Sequence, residues 1–146
     1  MSNNFKIRWG WLKFMYVGTF IVAGGSGLAI LVTPEWFKSI FKWPVNEPII
    51  FGTFGSILVT YGFVSLLGLR SPLKFIPVLL FHLCYKSIWF IGVILPLLIT
   101  GKFPPYAIAL CMIFAITIIG DLIAIPFPYV FAKLSEQETE EIKNSI

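Results

Sequence analysis

Long apolar tracts alternate with short polar joints along the chain. Residues 14–34 and 48–69 carry no charged side chain, residues 75–101 carry only Lys86, and residues 103–132 carry only Asp121. About 20 apolar residues at 1.5 Å rise cross a hydrocarbon core of roughly 30 Å, so each tract reads as a membrane span. Four helices are therefore predicted: Trp11 to Val32, Ile49 to Leu69, Phe75 to Thr100, and one from just after Pro104-Pro105 to about Ile125. Pro77 suits a first helical turn, where its missing amide has no intrahelical partner. Pro96 removes an internal bond and predicts a local kink.

The joint after the first span carries a pattern of its own. Thr33 can cap, Pro34 fits the first helical position, and Glu35 favours the positive end of a helix dipole. Trp36, Phe37, Ile40 and Phe41 recur at helical spacing, Lys38 and Lys42 occupy another face, and Pro44 is a stop signal. This predicts a short interfacial helix, apolar face down, that seals the outer rim or serves as a docking surface or lateral lid.

Small residues mark where helices approach. Ala23-Gly24-Gly25-Ser26-Gly27 lies in the first span, and Gly52, Gly55, Ser56, Gly62, Ser65 and Gly68 recur through the second. Lipid gives no hydrophobic drive for helices to associate, so close backbone approach must supply it. These two helices are expected to be neighbours. Close packing is the first reading of the Gly24 to Gly27 stretch, and a bend or ligand cleft the second.

Composition excludes a soluble globule. Apolar residues make up 58% and charged residues 12%, against roughly 45–50% and 25% in soluble domains. The net charge of +4 does not suggest nucleic acid, because the basic residues form no stripe with interleaved aromatics. Instead they sort by side: Lys6, Arg8, Lys13, Arg70, Lys74, Lys133 and Lys143 face one way, and Lys38, Lys42 and Lys102 the other. The positive-inside rule places both termini in the cytoplasm. The first tract exceeds the core of about 7–15 residues of a signal peptide and lacks its cleavage pattern, so it is expected to stay as an anchor. Residues 1–134 then form one membrane domain, and residues 135–146 an acidic, frayed cytoplasmic tail. Cys84 and Cys111 are expected to act as small buried hydrophobes.

Candidate chemistry lies inside the spans. An intramembrane charge is costly and ordinarily faces a cavity or a partner. Counted from the 101–104 joint, Lys86 and Asp121 lie at similar depths, roughly 21 Å and 24 Å, so an antiparallel hairpin can pair them directly. His82 precedes Lys86 by four residues and Thr117 precedes Asp121 by four, placing each on the same face as its partner. Tyr85 and Ser87 add polar atoms beside Lys86, and Tyr61 or Thr60 can join from the second span. Either a structural network that specifies helix packing or a binding or proton-handling site follows. One histidine and one intramembrane carboxylate do not make a catalytic zinc centre, and no haem ligand pair or phosphate loop is present, so an enzyme is the weaker reading.

Thr33-Pro34-Glu35-Trp36-Phe37, Phe41-Lys42-Trp43-Pro44, the Arg70-Ser71-Pro72-Leu73-Lys74 turn, Tyr85-Lys86 with Trp89, and Gly120-Asp121 before Pro126 together resemble small four-helix membrane proteins of the DoxX-like type. The resemblance runs over about residues 11–132 as an order of elements. It implies the architecture; some members are associated with quinol oxidase or with thiol and redox-stress systems. The expected fold is thus all-α, an integral membrane four-helix bundle with a short interfacial helix between the first and second spans. Two functions are open. The first is an accessory or scaffold protein in contact with membrane lipids, as a homo-oligomer or part of a larger membrane complex. The second is a binding or transport component for a small lipophile, quinone or proton through Lys86, Asp121, His82, Tyr85 and Thr117. Neither requires a bound cofactor, though a quinone or lipid would suit the second.

Overall fold

The computed structural model describes residues 6–44 and 47–133. The acidic tail, and the proposed division between residues 134 and 135, lie outside them. The described chain is all-helical. Four of its helices are long and apolar enough to cross a membrane: α1 (Trp9–Val32), α3 (Pro48–Arg70), α4 (Ile76–Ile99) and α5 (Ala107–Ala124). Between the first two lies the short α2 (Pro34–Phe41). Large apolar side chains cover the outer surface; Ile49, Ile88 and Ile116 are 77%, 68% and 69% exposed. That inversion of the soluble pattern is what acyl chains would solvate.

α1 packs along α3, the contact that both glycine series predicted. A methyl group on Gly62 would sit 2.6 Å from Gly24 Cα, and one on Gly27 would sit 2.7 Å from the Gly55 carbonyl oxygen. Only hydrogen fits between these backbones. Further along the same seam Gly68 lies under the Tyr16 ring, whose hydroxyl donates to the Pro72 carbonyl at 2.8 Å. α1 also meets α5, α5 packs antiparallel on α4, and α4 touches α3 more lightly. Buried apolar side chains gather at two ends: Leu12, Met15, Tyr16, Ile76, Leu79, Ala124 and Ile125 at one, and Ile30, Phe37 and Phe51 at the other.

Two spans contain a π-helical turn, at Phe20–Gly24 in α1 and Phe90–Ile94 in α4. The second immediately precedes Pro96 and widens the helix where the ring would press on the Gly92 carbonyl, so α4 continues to Ile99. α5 ends at Ala124, before the buried Pro126, and residues 127–133 are helical again.

α2 forms as its pattern suggests, with two corrections. The Thr33 side chain makes no cap; its hydroxyl donates back to the Ala29 carbonyl at 3.1 Å, inside α1. The helix stops at Lys42, whose left-handed backbone (φ 50°) lets Trp43 N–H donate to Lys38 O at 2.9 Å, two residues before Pro44. Its apolar residues also divide. Phe37 is buried against Phe41 and Phe51, whereas Trp36 and Ile40 are exposed. Glu35 and Lys38 form an ion pair at 2.9 Å.

Candidate functional site

The α4–α5 hairpin brings four of the five expected site residues into one hydrogen-bonded row. His82 Nδ1 lies 2.7 Å from Asp121 Oδ2, and Lys86 Nζ lies 2.5 Å from His82 Nε2. Lys86 Nζ also donates to Thr117 Oγ1, which itself donates within α5 to the Ile113 and Phe114 carbonyls, both 3.0 Å away. His82, Lys86 and Asp121 are 3%, 2% and 0% exposed, so these three are buried among the helices, while Thr117 is half-buried. The i, i+4 spacing on both helices builds it: each turn of α4 sets one polar group opposite one from α5.

The expected direct pairing of Lys86 with Asp121 is replaced by an indirect one. Their ion pair is absent among the described residues; the Asp121 carboxylate instead meets His82. The imidazole fits between them because its two nitrogens face opposite ways. With Nδ1–H donating to the carboxylate, Nε2 is left as the acceptor for the Lys86 ammonium, a tautomer assigned by the hydrogen-bond pattern. With Asp121 ionised, His82 neutral and Lys86 protonated, one negative and one positive group are joined through the ring and the row is neutral as a whole.

Tyr85, the fifth candidate, contributes its ring and no hydrogen bond. It packs edge-on against Phe114 at 5.9 Å and near His82 at 5.8 Å. Lys86 Nζ lies 4.9 Å from the Phe114 centroid and 5.8 Å from that of Tyr85, within cation–π range. Tyr61 from α3 stacks on His82, centroids 5.2 Å apart and planes 21° apart, while its hydroxyl donates to the Val78 carbonyl. The ring orientation of His82 is thereby held from α3 as well. Thr60 and Ser87 stay outside the row, their hydroxyls donating to Ser56 O and Leu83 O of their own helices.

Beside the row lies a cleft of about 450 Å3 between α1 and α5. His82, Lys86 and Thr117 form its polar end, and its walls are otherwise mainly aromatic and aliphatic, including Phe14, Phe54 and Phe114. Phe37 and Phe41 of α2 also line it. Several wall residues, among them Phe14, Val22, Ile116 and Ile119, are also exposed on the outer surface, so the cleft opens sideways. Its size falls in the range of roughly 300–1,000 Å3 typical of small-molecule sites.

Thr19 is the site residue that spacing did not reveal. It lines the cleft from α1, is 3% exposed, and its Oγ1 has no hydrogen-bond partner. The available signal was its place in the series 11, 14, 15, 18, 19, 22, 23, 26, one helical face of α1, all of which line the cleft. Asp121 Oδ1 is likewise buried without a partner. Ala23 and Ser26 line the cleft while Gly24 and Gly27 pack on α3, which bears out close packing as the first reading of this stretch. Cys84 is exposed, not buried as expected, and Cys111 is half-buried; among the described residues no cluster of metal-binding side chains occurs. Comparison with known proteins finds no family model, no curated protein and no solved structure that matches this sequence.

Proposed function

We propose that this multi-pass membrane protein binds a small lipophile in the α1–α5 cleft, with the Asp121–His82–Lys86 row as its polar anchor. The supporting observation is that Lys86, a buried cation already supplied with partners, nonetheless lines an apolar cleft of ligand size. A network whose only role was packing would be expected in a close-packed interior, because unfilled space forfeits dispersion contacts. In this reading the chain is a four-helix bundle with α2 lying in the interface, Trp36 and Ile40 toward the acyl chains and Phe37 and Phe41 toward the cleft. The excess of lysine and arginine on one side supports cytoplasmic termini in this reading.

A second reading, an accessory subunit in a homo-oligomer or larger complex, draws on the Gly52, Ser56 and Thr60 side of α3, where Ser56 and Thr60 are exposed. It has less support, since Gly24, Gly27, Gly55, Gly62 and Gly68 are already used within the chain.

The test is extraction of the purified protein in native lipid, followed by mass spectrometry of what remains bound after delipidation. Retention of a stoichiometric lipophile by the native chain, and its loss from a folded Lys86→Met variant, supports the reading. Identical lipid content in both overturns it.

A further inference from the structure

Resting on that reading of the cleft, we infer that the ligand carries an electrically neutral carbonyl head, held by Lys86 from α4 and Thr19 from α1. Charge balance is the first ground. With Asp121 as carboxylate and Lys86 as ammonium, the two offset each other through the His82 ring, and all three residues are nearly inaccessible. Adding a carboxylate to this neutral row would leave one buried negative charge uncompensated, and a cationic head would face the Lys86 ammonium. A neutral head meets neither penalty.

Donor arithmetic is the second ground. An ammonium has three N–H donors and no acceptor. Two of those of Lys86 are directed to His82 Nε2 and Thr117 Oγ1, leaving one on a group that lines the cleft. Thr19 Oγ1, buried in the same cleft without a partner, offers an O–H. A carbonyl oxygen brings two lone pairs and no donor, and in this proposal one lone pair meets each group. Buried polar groups in native proteins are almost always paired, so the unpartnered hydroxyl is the position a ligand would satisfy. The remaining walls are apolar and suit a single hydrocarbon tail.

The matched probes are 2-heptadecanone, heptadecane and heptadecanoate, which share chain length and differ at the head. Radiolabelled 2-heptadecanone is equilibrated with the full chain in detergent at neutral pH and displaced by each unlabelled compound. The ketone is expected to bind at least about tenfold more tightly than the alkane or the acid, the scale of one hydrogen bond to a charged group. Lys86→Met and the near-isosteric Thr19→Val should each reduce the preference for ketone over alkane to within about threefold while leaving heptadecane affinity unchanged; Thr19→Val carries the test if Lys86→Met does not fold. Tighter binding of heptadecanoate than of ketone overturns the neutral head, and equal binding of ketone and alkane overturns the polar contact; either result leaves the cleft a lipophile site. Failure of all three to bind overturns the proposed function together with this inference.

Discussion

Asp121 and Lys86 share one imidazole: Asp121 Oδ2 lies 2.7 Å from His82 Nδ1, and Lys86 Nζ lies 2.5 Å from His82 Nε2. In a low-dielectric interior, removing either end leaves the other as a buried charge without its counterpart. Lys86→Met or Asp121→Leu alone should each destabilise the protein by about 3–5 kcal/mol. The double variant loses both charges at once and should be more stable than either single one. Thermal unfolding of the four proteins in one detergent measures the coupling. Additive losses would mean that the two groups do not depend on each other.

His82→Phe separates geometry from charge. It preserves a flat ring against Tyr61, whose stacking distance is 5.2 Å, but removes both nitrogens that link the row. Asp121 and Lys86 then lose their shared partner while remaining charged, with an expected loss of about 3–6 kcal/mol for two charge-assisted hydrogen bonds. A variant as stable as the native chain would show that the imidazole only fills space.

The glycines sort into those with room and those without. A methyl on Gly27 would meet Val59 N at 2.6 Å and Gly55 O at 2.7 Å, both backbone atoms that cannot swing away, whereas Gly25 has nothing within 4 Å. Gly27→Ala is expected to cost about 1–3 kcal/mol by forcing α1 from α3, and Gly25→Ala to be neutral or slightly stabilising. Melting temperatures of the two variants check the contrast, and equal losses would contradict the packing of this seam.

The spans could be read from the sequence because length and hydropathy alone decide whether a segment can cross a bilayer, and the 75–101 and 103–132 tracts hold one charge each. His82, Lys86, Thr117 and Asp121 could be read too, since four-residue spacing on two antiparallel helices leaves few ways to arrange them. The bridging role of His82 was not accessible in the same way. Spacing places residues on a face, but the order along a hydrogen-bonded row depends on side-chain length and ring orientation. The cleft was further out of reach, because a gap between α1 and α5 depends on how separate helices cross, which spacing along one helix does not encode. Thr33 failed as a cap because a carbonyl one turn back, Ala29 O, captures its hydroxyl.

Orientation gives a prediction independent of the site. The lysine and arginine asymmetry predicts that the α3–α4 turn lies in the cytoplasm and the α4–α5 turn outside. In a cysteine-free background, Lys102→Cys should react with a membrane-impermeant maleimide added to intact cells, and Lys74→Cys only after permeabilisation. The reverse pattern would invert the protein and place its more basic side outside.

Gly18 tests the cleft without touching its polar end. It lines the cavity from α1, and a Cβ built there meets no heavy atom within 4 Å, so a larger side chain can enter the empty volume instead of a packed wall. Gly18→Leu should fill part of the cleft and lower lipophile affinity by at least about tenfold, since each excluded ligand methylene forfeits about 0.8 kcal/mol of burial and two already exceed 1.4 kcal/mol. Stability should hold or rise, because the new side chain buries apolar surface and replaces a helix-weakening glycine. That combination distinguishes occlusion from damage: a variant that unfolds would lose ligand for an uninformative reason, but one that melts higher and binds less has lost only space. Full ligand retention in a stable Gly18→Leu protein would locate the lipophile elsewhere, the furrow between α3 and α4 beside Tyr61 and Phe81 being the next place to probe.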